Sequence, residues 1–195
     1  MRGADAAAAL ARALSRTGAP SSDHELMGEA VPRSLRPAAV LLAVDVSGER
    51  AGVLLTKRSA QLRHHPGQIA LPGGKLDRGE DARACALREA AEEVGLPTAS
   101  PEVLGTLPPH VTVTGFSVTP VLALLRAPVR PVPRPGEVDE AFFVPLAHLA
   151  DLGSYRQEGR AWGGRARRYW VAPYGPHYVW GATARILRGL AEAMA

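Results

Sequence analysis

The 195-residue sequence has a single cysteine, Cys85, so an intrachain disulfide is excluded and a reducing compartment suits the chain. Aromatic residues make up only 5%, so the core has to be built mainly from Leu, Val and Ala. Long apolar runs are absent. A stretch such as "AAVLLAV" (38–44) falls far short of the roughly 20 residues needed to span a bilayer. In the N-terminal "MRGADAAAALARAL", Asp5 and Arg12 interrupt what a secretory signal would keep apolar. The expectation is a short amphipathic helix in a cytoplasmic protein, with no membrane partner. Lysine is scarce too, since 21 of the 23 basic residues are arginine, at a net charge of +4 and a sequence pI near 9.7. No lysine-rich run or basic–aromatic motif is present, so nucleic acid is not an expected partner. Arginine forks suit phosphate, which points to an anionic ligand. An Ala-, Arg-, Gly- and Pro-rich composition is also what a GC-rich genome produces, so charge alone does not name that ligand.

What is present reads as mixed structure without a strict β-α-β rhythm, which predicts an α+β layered sheet. Residues 1–35 form an N-terminal helix and a Pro/Ser-punctuated lead-in, and residues 36–195 one domain without internal repeats. "AAVLLAVD" (38–45) and "AGVLLTKR" (51–58) read as a β-hairpin across "VSGE". "QIAL" (68–71) reads as a short strand entering a tight turn at Pro72-Gly73-Gly74. A helix is expected from about Glu80 to Val94, stopped by Gly95 and Pro97. Strands are expected at 102–107 and 118–125, separated by a loop, and then a proline-rich surface loop at 127–136. "EAFFVPLAHL" gives a strand and a short helix, "RYWVAP" and "HYVW" read as strands, and "ATARILRGLAEAM" closes the chain as a helix.

Within the helix at 80–94, "REAAEEVG" packs Glu89, Glu92 and Glu93 together. At a rotation of about 100° per residue the three fall within a roughly 100° arc, while Ala84, Leu87, Ala91 and Val94 fall on the other side and are expected to pack on a sheet. Solvated glutamates relieved by Arg88 at i,i+4 would satisfy the same pattern. The Gly-rich turn just upstream, together with Glu80, favours a site for a hard divalent cation, which takes oxygen ligands. Such a cation suits attack of water on a phosphate or diphosphate.

Gly74, Glu80, Arg88, Glu89, Glu92, Glu93 and Gly95, with aliphatic positions at Ala90, Val94 and Leu96, resemble the Nudix box over its 23 residues. Ala90 is smaller than the residue usual there. The resemblance implies the Nudix fold, a mixed β-sheet sandwiched between helices (α/β/α), and a hydrolase of nucleoside diphosphate derivatives that uses Mg²⁺ or Mn²⁺. It implies Glu89, Glu92 and Glu93 as metal ligands, with the Gly74 carbonyl a further one, and Arg88 as the residue orienting a neighbouring carboxylate. The general base stays open between Glu93 and a later acid, where "GEVDEAFF" offers Glu137, Asp139 and Glu140.

Upstream of the box, "LLTKRSAQLRHHPGQIALPGG" (54–74) resembles the signature of the coenzyme A diphosphatase branch, with Arg58, Arg63, Gly67, Pro72, Gly73 and Gly74 in matching places. Leu71 stands where that branch usually has Phe. The implied substrate is CoA or acyl-CoA, with Arg58, Arg63, Gly73 and Gly74 in substrate binding. His64 and His65 read as exposed, and Cys85 as core or semi-exposed. ADP-ribose, a dinucleotide or an oxidised nucleotide are alternative substrates, and a non-catalytic binding module is the more distant alternative. The oligomeric state stays open between monomer and homodimer.

Overall fold

The computed structural model describes residues 1–16, 18–162 and 165–195. In chain order the elements are α1 (Gly3–Leu14), β1 (Ser21–Ser22), β2 (Arg36–Asp45), β3 (Gly52–Arg58), β4 (Ile69–Ala70), β5 (Gly73–Lys75) and α2 (Ala82–Val94). They continue with β6 (Pro101–Thr106), β7 (His110–Val111), β8 (Phe116–Leu125), β9 (Val138–Pro145), α3 (Leu146–Ala150), β10 (Arg156–Trp162), β11 (Arg165–Val171) and α4 (Gly181–Met194).

The frame is a mixed nine-stranded sheet with the path β1-β7-β8-β2-β3-β4, to which β5, β6 and β9 add by pairing with β2, β8 and β3. Its spine is the parallel pair β2–β8, in register from Arg36↔Phe116 to Asp45↔Leu125. Because side chains alternate across a strand, each of these two strands serves two cores. Ala39, Leu41 and Ala43 of β2, with Val121, Ala123 and Leu125 of β8, meet α2. Ala38, Leu42 and Val44, with Val118, Leu122 and Leu124, meet the layer built from α1, α3 and α4. The result is the α/β/α sandwich expected from the sequence.

Helix α2 starts where Asp81 accepts a hydrogen bond from the Ala84 N–H at 2.7 Å. It ends on Gly95, which is left-handed (φ 65°), as the N–H groups of Gly95 and Leu96 donate to Ala91 O and Ala90 O. The face that packs differs from the expected one. Cys85, Ala86, Ala90 and Val94 are buried, whereas Ala84 is exposed and Leu87 and Ala91 only half-buried. Small residues on both sides, with Ala39 and Ala43 opposite Ala86 and Ala90, let the helix sit close to the sheet, and that rotates the packing stripe away from Leu87. Ala90, small for its position, is fully buried in this contact.

Three other readings are corrected. The β2–β3 hairpin is confined to Val44↔Val53 and Asp45↔Gly52, while β3 pairs along its whole length with β9. Gly73–Lys75 is not only a turn but the strand β5, paired antiparallel with Ala38–Val40. A Cβ on Gly73 would lie 2.3 Å from Ala39 O, so only glycine permits the pairing. "HYVW" forms no strand; it contributes isolated bridges, Tyr174↔His177 and Val171↔Trp180. β11 instead pairs with β10, an element not anticipated.

Helix α1 buries Ala6, Leu10 and Ala13 in the same core as α4, and β1 pairs with β7. The buried His110 fixes this pairing, with Nδ1 at 3.0 Å from Ser21 Oγ and Nε2 at 3.0 Å from Asp23 Oδ1. Leu10→Ala should therefore cost about 2–5 kcal/mol in urea unfolding, the usual range for emptying a core leucine site. A loss within about 0.5 kcal/mol, as at a surface position, would show α1 to be an appendage.

Candidate active site

The carboxylates of the 74–95 segment gather around Arg88, whose side chain is 29% exposed. Its Nε and Nη2 donate to the two oxygens of Glu80, each at 2.9 Å. Nη1 donates to Glu89 Oε1 at 2.9 Å and to Glu92 Oε2 at 3.5 Å, and Nη2 also reaches Lys75 O at 3.3 Å. Bidentate geometry makes the Glu80 pair the strongest of these contacts. Glu80 also accepts from the Asp77 N–H at 2.9 Å, which closes the loop before the helix. Held chiefly by the Arg88 hydrogen bonds and then by that N–H, the Glu80 carboxyl drops to a pKa of about 2, and Arg88 is pushed up in turn. Glu80 was legible in the sequence as a box position, yet its part as the main partner of Arg88 was not.

Glu93 leans the other way. It is 8% exposed, accepts from the Gly73 N–H at 3.2 Å, and has Arg58 Nη1 3.9 Å from Oε1. Burial raises its carboxyl from 4.5 to about 7, against the Gly73 hydrogen bond and the Arg58 charge, and the charges of Glu89 and Glu137 add to the rise. Arg58 Nε is buried and has no hydrogen-bond partner among the described residues. The rest of the guanidinium is partly exposed, the side chain being 29% accessible, and can meet an incoming anion.

Of the later acids, Glu137 is the one placed toward Glu93. The proline-rich loop does not wander: Val132 N–H and Arg134 N–H donate to the carbonyls of Val94 and Glu93, each at 2.8 Å, and Arg134 pairs with Glu137 at 3.6 Å. Asp139 instead accepts from the Ala60 N–H at 3.0 Å, and Glu140 pairs with His177 at 3.1 Å. Arg63, on the loop after β3, is exposed and makes no ion pair or hydrogen bond among the described residues. The structure thus brings together Glu89, Glu92, Glu93, Arg88, Arg58, Gly73, Gly74 and Glu137, and leaves Arg63 at the rim. Leu71 is buried in the core shared with α4.

Glu89 lies against Gly74 so tightly that a Cβ there would be 2.3 Å from Oε1. Among the described residues no three carboxylates, imidazoles or thiolates converge into a preformed cation cage. The reason is visible: Arg88 shares Glu80, Glu89 and Glu92, while Glu93 turns to Gly73 and Arg58. The donor set nonetheless fits a hard cation, being carboxylate and carbonyl oxygen. The one soft donor nearby is withdrawn, since burial pushes the Cys85 thiol up to about 11 and Sγ donates to Lys75 O at 3.3 Å.

The buried Glu93 carries a pH signature. Its pKa is raised on folding, so its contribution to stability is present below 4.5 and lost as pH rises through about 7. In EDTA, the wild-type unfolding free energy should fall across that window by up to about 3 kcal/mol. Glu93→Gln should remove that part of the slope and be the more stable protein at pH 8. Equal slopes in the two proteins would place the wild-type carboxylate in water.

The NUDIX domain family model matches residues 34–163. A protein described as uncharacterized Nudix hydrolase NudL, from Citrobacter koseri, is 44% identical over 168 residues, covering 86% of each chain. Its namesake from Salmonella typhimurium is 42% identical over 173 residues, covering 88% of this chain and 86% of that one. Among solved structures, the Nudix hydrolase RenU from M. smegmatis is similar at a TM-score of 0.50 and 32% identity, over 60% of this chain and 75% of that one. A MutT/nudix family protein from Enterococcus faecalis shares the fold at a TM-score of 0.51 and 18% identity, over 84% of this chain and 64% of that one. Nudix enzymes generally use divalent metal ions and act on small-molecule substrates. With the box residues gathered on α2 and the family match spanning most of the sheet, the chain belongs to the Nudix hydrolases, enzymes that act on the diphosphate bonds of nucleoside diphosphate derivatives.

Proposed function

We propose that this enzyme hydrolyses the diphosphate bond of coenzyme A and its acyl derivatives, giving 3′,5′-ADP and 4′-phosphopantetheine or its acyl form. The observation that carries the reading is Arg58. It stands in the segment resembling the CoA diphosphatase signature, and its partly exposed guanidinium has Nη1 3.9 Å from Glu93 Oε1. A cytoplasmic setting suits both the free thiol of Cys85 and the thiol of the substrate.

Glu89, Glu92, Glu93 and the Gly74 carbonyl are the groups we assign to Mg²⁺ or Mn²⁺. When bound, such an ion supplies positive charge against the diphosphate and makes water easier to deprotonate. The protein's own part is positional. Arg88 keeps Glu89 and Glu92 in place through hydrogen bonds to Glu89 Oε1 and Glu92 Oε2. Arg58 contacts the diphosphate through its partly exposed guanidinium, and Arg63 adds a second fork from the rim. The Gly73 N–H steadies Glu93 Oε2. Glu93 is the group we assign to receive the proton of the attacking water. Glu137 raises the basicity of Glu93 by its charge and is the alternative base.

Purified protein incubated with CoA and Mg²⁺ or Mn²⁺, with ADP-ribose and NADH in parallel, tests the substrate by mass spectrometry of the products. Preferential release of 3′,5′-ADP is the expected result; rapid ADP-ribose hydrolysis with CoA untouched would overturn the substrate while keeping the reaction class. Glu93→Gln should lower kcat by at least about 100-fold with the circular dichroism spectrum unchanged, the scale of a lost general base. Glu137→Gln should cost no more than about ten-fold; a larger loss would move the base to Glu137.

A further inference from the structure

A cavity of about 540 Å³ lies away from the carboxylates, between the β10–β11 hairpin, the β7–β8 turn, the loop after β3 and the start of α4. That volume is in the usual range for a small-molecule site. Its wall is cationic. Arg160 and Arg167 stand directly opposite each other across the hairpin, and both line the cavity. Like charges placed opposite on a ladder repel, so an anion between them is favoured. Arg160 is exposed and Arg167 half-buried, and among the described residues neither has a carboxylate within ion-pair distance. The nearby acids are already engaged: Asp23 with His110 Nε2 at 3.0 Å and the Val113 N–H at 3.1 Å, and Glu158 with Arg156 at 2.8 Å and with the Tyr178 hydroxyl.

The rest of the wall is aromatic. Tyr169 shares the hairpin face of Arg167, two residues away, and meets Trp180 edge-on with ring centroids 5.3 Å apart. Trp180 precedes α4 without capping it by its side chain, so the first-turn N–H groups at Gly181 and Ala182 add positive potential on the same wall. The floor connects to the reaction centre. Gln68 lines the cavity, while its carbonyl accepts from the Arg58 N–H at 2.9 Å. Arg58 in turn flanks Glu93. One short loop therefore separates an arginine-lined, ring-lined cavity from the carboxylates.

We infer that this cavity seats the end of the substrate that is not cleaved, a nucleoside carrying its own phosphate monoester. Arg160 and Arg167 hold the phosphate, and Tyr169 and Trp180 lie against the base. The inference rests on the diphosphatase reading for the identity of the whole substrate; the cavity's charge and rings stand independently of it.

The first measurement is calorimetric binding to the metal-free full-length chain, with 3′,5′-ADP as the probe and 5′-AMP as the control lacking the second phosphate. The wild type should bind 3′,5′-ADP at least about ten-fold more tightly, since two or three charge-assisted contacts are at stake. The double variant Arg160→Gln/Arg167→Gln should lose that preference. Arg167→Lys should recover part of it. In turnover, the double variant should lose at least about ten-fold more kcat/KM on CoA than on dephospho-CoA. Thermal melting checks that each variant is folded. Tight, arginine-dependent 3′,5′-ADP binding with no CoA hydrolysis would uphold the cavity and overturn the substrate reading. CoA hydrolysis with 3′,5′-ADP binding indifferent to Arg160 and Arg167 would overturn the cavity and leave that reading intact. Equal affinity of the wild type for the two probes would also overturn it.

Discussion

One guanidinium makes the rest of the site affordable. Four carboxylates within one loop and one helix repel one another, and like charges a helical turn apart already cost about 0.2–0.5 kcal/mol each. Arg88 answers three of them, bidentate to Glu80 and singly to Glu89 and Glu92. It also fixes geometry, because Glu80 is anchored to the Asp77 N–H and thereby ties the Gly-rich turn to the helix. Lysine could not do this; its ammonium is a point charge without a planar fork. Removing Arg88 would release the loop and three carboxylates together.

Glu93 stands outside that arrangement, and the fold explains why. It is on the same helix as Glu89 and Glu92 but is turned toward the sheet, where β5 passes with Gly73. The burial that places it there also keeps its carboxyl near neutrality, while Glu92 remains largely in water. Three acids in one helical turn thus have different properties because the helix lies on a surface that slopes from core to solvent. That surface exists because Ala39 and Ala43 let Ala86 and Ala90 approach closely. Sheet packing and acid–base character have a common origin in those small side chains.

Much of this was legible in the residues. Gly95 marks the end of α2, 38–45 and 118–125 read as strands, and the carboxylate spacing announces the site. The packing face of α2 was not legible, because hydrophobicity alone favours Leu87, whereas the contact selects for small size at Cys85, Ala86 and Ala90. The parallel pairing of β2 with β8 was hidden as well, since strands that distant in sequence carry no local signal of pairing. β10, "RQEGRAW", lacks any apolar alternation and is a strand only through its ladder with β11. The cavity followed the same rule: its residues come from five separate stretches of chain, and only the fold gathers them.

The loop between Arg58 and Ile69 joins these parts mechanically. Arg58 exchanges backbone hydrogen bonds with Gly67 and Gln68, so the two ends of the loop are pinned together. At its far end, Ile69 O accepts from Thr183 Oγ1 at 3.2 Å, which binds it to the first turn of α4. His65 within it holds a left-handed conformation (φ 55°), which non-glycine residues adopt at a cost and the surroundings must enforce. The loop therefore ties the first turn of α4 to Arg58 through three hydrogen bonds, and Arg58 Nη1 lies 3.9 Å from Glu93 Oε1. The segment that carries Arg58 beside the carboxylates and the helix start that lines the cavity are thus joined by backbone, which is how one chain can place a diphosphate and a second anionic group in fixed relation.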